Sequence, residues 1–121
     1  MSDEIKKWST QIKKGYLELC ILSLIQQRQR VYGFHLLTLL SKHEIPVKEG
    51  TLYPLLSRMT KEGLLAPQWE TEGIKGHPRK FYRLTKAGEQ SLEKMMAEFK
   101  NMNSILERIR SVGGKDAVTG A

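Results

Sequence analysis

The stretch Lys48–Gly63, KEGTLYPLLSRMTKEG, constrains the fold of this chain more than any other segment. Leu52, Leu55, Leu56 and Met59 recur at helical spacing and form one apolar stripe, while Thr51, Tyr53, Ser57, Arg58 and Lys61 fall largely outside it. Hydroxyls, a phenol and cations on the free side of a short helix can meet phosphates and base edges. The same pattern also describes an ordinary surface helix packed on a core. Gly63 supplies the left-handed residue that closes a helix, with Leu64 placed to pack back. The start stands open between two positions. Pro54 lacks an amide hydrogen and suits a first turn, which makes Thr51 the N-cap; alternatively the helix begins near Val47 and kinks at the proline.

After Gly63 the period drops to two. Leu65, Pro67 and Trp69 alternate with Ala66, Gln68 and Glu70, and KFYRL at 80–84 alternates again with Tyr82 and Leu84 on one face. Between them TEGIKGHPR carries Gly73, Gly76 and Pro78, so the segment reads as a hairpin with a flexible basic tip. Upstream, DEIKKWSTQIKK places Ile5, Trp8 and Ile12 three and four residues apart, an amphipathic arm or the first turns of a longer helix. Trp8 there needs an apolar surface, in the chain's own core or on a second subunit. GYLELCILSLIQQ, residues 15–27, is apolar nearly all round and belongs in a central position. After the polar break Arg28–Arg30, Tyr32-Gly33 opens a helix whose buried side is Phe34, Leu36, Leu37, Leu39 and Leu40, and Glu44-Ile45-Pro46 ends it. Helix, short connection, helix is the order of a helix-turn-helix, in which the second helix enters the major groove.

Thr85 is an N-cap for a long last helix. In it Leu92, Met95, Phe99, Met102, Leu106 and Ile109 alternate spacings of three and four, an a/d seam. The first and last helices hold more apolar surface than one small domain hides. A homodimer joined through Ile12, Leu92, Met95, Phe99, Met102, Leu106 and Ile109 buries it and sets two recognition helices over two half-sites. The expected architecture is mainly α with a small β-hairpin: a winged helix-turn-helix with a C-terminal dimerisation helix. Residues 1–14 are an arm or helix start, 15–84 the DNA-binding domain, 85–112 the dimerisation helix and 113–121 a disordered tail.

A net charge of +7 over 121 residues favours an anionic partner, nucleic acid before an acidic membrane surface. The apolar run Leu17–Ile25 is too short to span a bilayer and sits wrongly for an export signal, so a cytoplasmic protein is expected. Cys20, the single cysteine, reads as a buried structural thiol. His35, His43 and His77 are scattered, which speaks against a zinc site. There is neither a glycine-rich phosphate loop nor a placeable Ser/His/acid set, so neither catalysis nor a cofactor is expected.

The segments VYGFHLL, EGTLYPLLSRMTKEGLL and GHPRKFYRLTKAG resemble the PadR family of transcriptional regulators, over about Gly15 to Ile109. The short single C-terminal helix is similar to the subfamily that includes multidrug-sensing repressors. The resemblance implies a homodimer on a near-palindromic duplex operator, relieved by a small planar aromatic or hydrophobic effector. By position it implies DNA contact by Tyr32, Gly33 and His35 beside the backbone, by Thr51, Tyr53, Pro54, Ser57 and Arg58 on the recognition helix, and by Lys75, His77, Arg79 and Lys80 in the wing. Trp8, Met95, Phe99 and Met102 are the candidates for effector contact at the dimer seam. Two departures stand out: His77 where the family often has arginine, which weakens wing contact near neutral pH, and Phe99 where multidrug-sensing members carry tryptophan. Glu49 serves the helix dipole or accepts from a cytosine amine. The rival expectations are a winged helix used for protein contacts, and a dimer that sequesters ligands in its seam.

Overall fold

The computed structural model describes residues 2–70 and 79–111. The chain runs α1 (Asp3–Arg28), β1 (Val31–Tyr32), α2 (Gly33–Lys42), α3 (Glu49–Lys61), β2 (Leu65–Glu70), β3 (Arg79–Leu84) and α4 (Lys86–Ser111). The polar N-terminal segment is the start of one long helix and not a separate arm. Ser2 caps it by accepting from the Ile5 amide at 3.3 Å, and Asp3 and Glu4 sit in its first turn, where the helix dipole favours anions. Its second half carries Leu17, Leu19, Ile21, Leu22 and Ile25 into the core, as the all-round apolar run predicts. Ile21, Leu22 and Ile25 meet Leu36 and Leu40 of α2 and Leu52, Leu56 and Met59 of α3, all fully enclosed.

The sheet has three antiparallel strands in the order β1-β3-β2. The expected hairpin is present, with Leu65 opposite Leu84 through to Glu70 opposite Arg79. Its basic tip, with Lys75 and His77, lies outside the described residues, as does the tail from Gly113. The sequence reading lacks β1. Two residues are too short to show alternation, and Val31-Tyr32 becomes a strand because β3 offers it an edge, with Val31 opposite Tyr82 and Tyr32 opposite Phe81.

Helix α3 starts at Glu49 with Lys48 as N-cap, so Thr51 is not the cap: the amides of Thr51 and Leu52 both donate to the Lys48 carbonyl. Pro54 therefore lies inside the helix, on its exposed side. A proline there has no amide hydrogen to donate to the carbonyl of Gly50, the residue four before it. The far end closes as expected. Gly63 has φ 80°, the Leu64 amide donates to Met59 and the Gly63 amide to Thr60, the paired bonds of a Schellman cap. Thr85 caps α4 by accepting from the Gly88 amide at 2.9 Å.

Two burial expectations are corrected. Phe34, read as part of the buried side of α2, is 67% exposed, because two residues of helix put it about 200° round from the core residue Leu36, on the cleft side. Cys20, read as a buried thiol, is half-buried in a groove between α1 and α4. On α4, Leu92 is enclosed by the chain's own core and Phe99 packs against Tyr16 of α1, ring centroids 5.8 Å apart. Farther out Met102, Leu106 and Ile109 are each more than half exposed, as are Trp8 and Ile12 on α1. Among the described residues no helix is long and apolar enough to cross a membrane.

Candidate nucleic-acid interface

The start of α2, one face of α3 and the inner side of the β2–β3 hairpin enclose a half-open cleft of about 1080 Å³. Each wall follows from local sequence. On α3, Tyr53, Ser57 and Lys61 repeat every fourth residue, so they form one row opposite the buried Leu52–Leu56–Met59 stripe, and all three line the cleft. From α2 come Tyr32, Gly33, Phe34, His35 and, one turn on, Thr38. The N-terminus of α2 has no side-chain cap among the described residues, and no acid in its first turn, so its amide end is left to whatever occupies the cleft. From the hairpin come Trp69, Arg79, Lys80 and Tyr82.

The tyrosine pair is set by a glycine. A Cβ on Gly33 would lie 3.1 Å from the Tyr53 ring and 3.3 Å from the Tyr82 ring, so the missing side chain lets both rings close over the start of α2. Burial raises the pKa of both phenols; Glu49 adds to the rise at Tyr53, and Tyr53 to that at Tyr82. Both therefore stay neutral donors at physiological pH.

The cations are held by aromatic faces. The Lys80 ammonium lies 5.4 Å from the Trp69 ring centre, directly across the hairpin, and 5.6 Å from that of Tyr82. Arg79 lies 4.7 Å over Tyr32, Tyr32 stacks on Phe81 at 3.7 Å, and Arg30 covers the Phe81 ring at 4.0 Å. This four-layer column fixes the root of the hairpin against β1; Arg30 also faces the Glu70 carboxylate at 3.9 Å, while Arg79 has no carboxylate partner among the described residues.

The structure thus brings Tyr32, Gly33, His35, Tyr53, Ser57, Arg79 and Lys80 together from the expected set. It does not bring in Thr51 and Pro54, which are exposed on the flank of α3. Arg58, expected among the readers, is also outside the cleft. It lies about 100° round the helix from Ser57, where it pairs with Glu18 at 3.0 Å and donates to both Glu62 oxygens at 3.0 and 3.1 Å. Lys75 and His77 lie outside the described residues. Phe34, Thr38, Thr60 and Trp69 are cleft residues that sequence reasoning did not place there, and Lys61, read only as lying off the apolar stripe, joins them. The row Tyr53–Ser57–Lys61, three residues spaced by four, is the signal that puts Lys61 in the cleft wall.

The effector candidates are not gathered in one cavity. Phe99 lines a groove of about 410 Å³ with Tyr16, Cys20 and Met96, while Met95 packs against the core and Met102 and Trp8 stand exposed elsewhere. Burial pushes the Cys20 thiol up from its ordinary value, which keeps it protonated near neutral pH.

Residues 21–94 match the model of a family described as transcriptional regulator PadR-like. A solved PadR family transcriptional regulator from Eggerthella lenta is similar at 32% identity, with 90% of this chain and 94% of that one covered and a TM-score of 0.80. A PadR-like transcriptional regulator from Bacillus cereus is similar at 37% identity over 84% and 97% of the two chains, with a TM-score of 0.71. A transcriptional regulator of Mycobacterium tuberculosis is 42% identical over 62 residues, 51% of this chain and 56% of that protein.

Proposed function

The chain belongs to the PadR-like family of transcriptional regulators, and from that premise we propose that it is a homodimeric, sequence-specific repressor that binds a near-palindromic DNA duplex in the cytoplasm. The observation that carries this reading is the convergence of three elements on one cleft: the uncapped start of α2, the Tyr53–Ser57–Lys61 row and the aromatic-held cations Arg79 and Lys80. Helix α3 enters the major groove and offers the Tyr53 and Ser57 hydroxyls to base edges, with Thr51 and Pro54 at its flank. Lys61, Arg79, Lys80 and the α2 amides take phosphates on either side, with Tyr32 and His35 beside them, and the wing tip with Lys75 and His77 extends the contact. The exposed apolar residues of α1 and α4, Trp8, Ile12, Met102, Leu106 and Ile109, support the dimer. The groove beside Phe99 supports release by a small planar hydrophobic effector.

The test is a duplex selected by the protein from a random pool, titrated beside a mixed-sequence duplex over a range of salt. Lys80→Ala weakens binding to both and lowers the salt slope by about one. Tyr53→Ala loses about 1–3 kcal/mol of preference for the selected duplex. Salt-independent binding, or none, would overturn the reading in favour of a protein-contact module.

A further inference from the structure

The reading of the cleft leaves Arg58 unused, although it is a cation on the recognition helix. Its surroundings explain why. The guanidinium sits between two carboxylates, Glu18 from the middle of α1 and Glu62 from the C-cap of α3 itself. Glu62 takes both of its oxygens to one guanidinium nitrogen, and Glu18 takes the other nitrogen at 3.0 Å. The Glu18 side chain is only 20% exposed, so this end of the bridge is partly shielded from water, while Arg58 is half open. A shielded carboxylate interrupting the apolar run of α1 needs a partner, and Arg58 is the cation paired with it. The enclosed Leu52–Leu56–Met59 stripe seats α3 on the core and sets its coarse rotation, so side-chain contacts at its rim act on the fine setting of that rotation.

We propose that Glu18 and Arg58 are positioning residues for DNA recognition: the bridge from α1 to Arg58 holds the fine rotation of α3 and with it the aim of Tyr53 and Ser57. The inference rests on the DNA-binding reading of the cleft. It gives α1 a direct hold on the reading helix, because any shift of α1 at Glu18 is felt at Arg58.

Charge alone and the bridge predict opposite signs. Glu18→Gln removes an anion from a basic protein, and long-range electrostatics then strengthens binding to any duplex. The bridge predicts the reverse for the preferred sequence. Glu18→Gln and Arg58→Gln each weaken binding to the duplex selected by the wild-type chain by about two- to five-fold. Neither lowers the salt slope, and the double variant is no weaker than the weaker single. If Glu18→Gln leaves that affinity unchanged or raises it, charge alone accounts for Glu18 and the proposal fails; if Arg58→Gln lowers the salt slope by about one as Lys80→Ala does, Arg58 is a phosphate contact and the proposal fails likewise. Amide hydrogen exchange without DNA decides the bridge separately. The last two turns of α3 exchange faster in Glu18→Gln while α2 is unchanged, and equal exchange in α3 overturns the bridge. Wild-type protein that binds no duplex while α3 loosens in Glu18→Gln would sink the function and leave the bridge standing.

Discussion

Gly33 shows how much of the proposed reading surface depends on a side chain that is not there. It sits where the rings of Tyr53 and Tyr82 close on the start of α2, each within 3.3 Å of where a methyl group would stand. Both rings have some freedom to retreat, so Gly33→Ala costs about 1 kcal/mol of stability. The larger effect falls on function, because Tyr53 moves off its aim. Preference for the selected duplex drops while far-ultraviolet circular dichroism and the salt slope stay as they were; an unchanged preference would show that Tyr53 is not aimed by this contact. The motif VYGFHLL made the glycine visible in the sequence, but not its reason, since Tyr53 and Tyr82 come from other elements. The ion pairs of Arg58 are hidden from the sequence on the same ground. A cation outside an apolar stripe looks free until α1 places Glu18 against it. Phe34 reads as buried by hydrophobicity alone, and its exposure is set by its position on the face of α2 away from Leu36.

Between elements, one joint ties the end of α3 to the start of α4 across the root of the hairpin. The Thr85 hydroxyl donates to the Gly63 carbonyl at 2.6 Å, its amide donates to Leu64 at 3.0 Å, and its oxygen accepts from the Gly88 amide. A Cβ on Gly88 would run into the Leu64 carbonyl, which is backbone and has no room to yield. Gly88→Ala therefore destabilises by about 2–3 kcal/mol, at the upper end of overpacking. Thr85→Ala, which removes the cap and one tie, costs about 1 kcal/mol. Urea melts read both, and a Gly88→Ala midpoint equal to wild type would mean that α4 can swing away from Leu64 without loss. These boundaries were legible, since a C-terminal glycine, an N-cap threonine and a change of period are local signals. What stayed hidden was set from outside the element. β1 exists because β3 offers an edge, and α3 starts before Thr51 because Lys48 accepts its first bonds, with Pro54 tolerated on the exposed side.

For the molecule as a whole, the apolar seam of α4 divides into two parts with different fates. Leu92 is enclosed by the chain itself, and Met95 and Phe99 pack partly against the core, so the seam is satisfied from within over its first half. Met102, Leu106 and Ile109 face outward beyond it, and Trp8 and Ile12 do the same on α1. In the proposed dimer a second copy against these outer halves would remove the exposed apolar surface, and two half-sites would be engaged together if the two α3 helices lay one helical turn apart, about 34 Å. Leu106→Glu separates the two uses of α4. In a lone chain it changes an exposed position, so helicity and melting shift little, within about 0.5 kcal/mol. At a dimer seam it buries an unpaired carboxylate, which is strongly unfavourable. Light scattering should give the wild-type protein twice 13.9 kDa and the variant a mass near 13.9 kDa. With the dimer goes the benefit of engaging two half-sites at once, so affinity for the selected duplex falls by about 10²-fold or more. A wild-type mass of a single chain, or a Leu106→Glu variant that still sediments as a pair, would mean that the outer half of α4 serves some other contact and that each α3 reads its site alone.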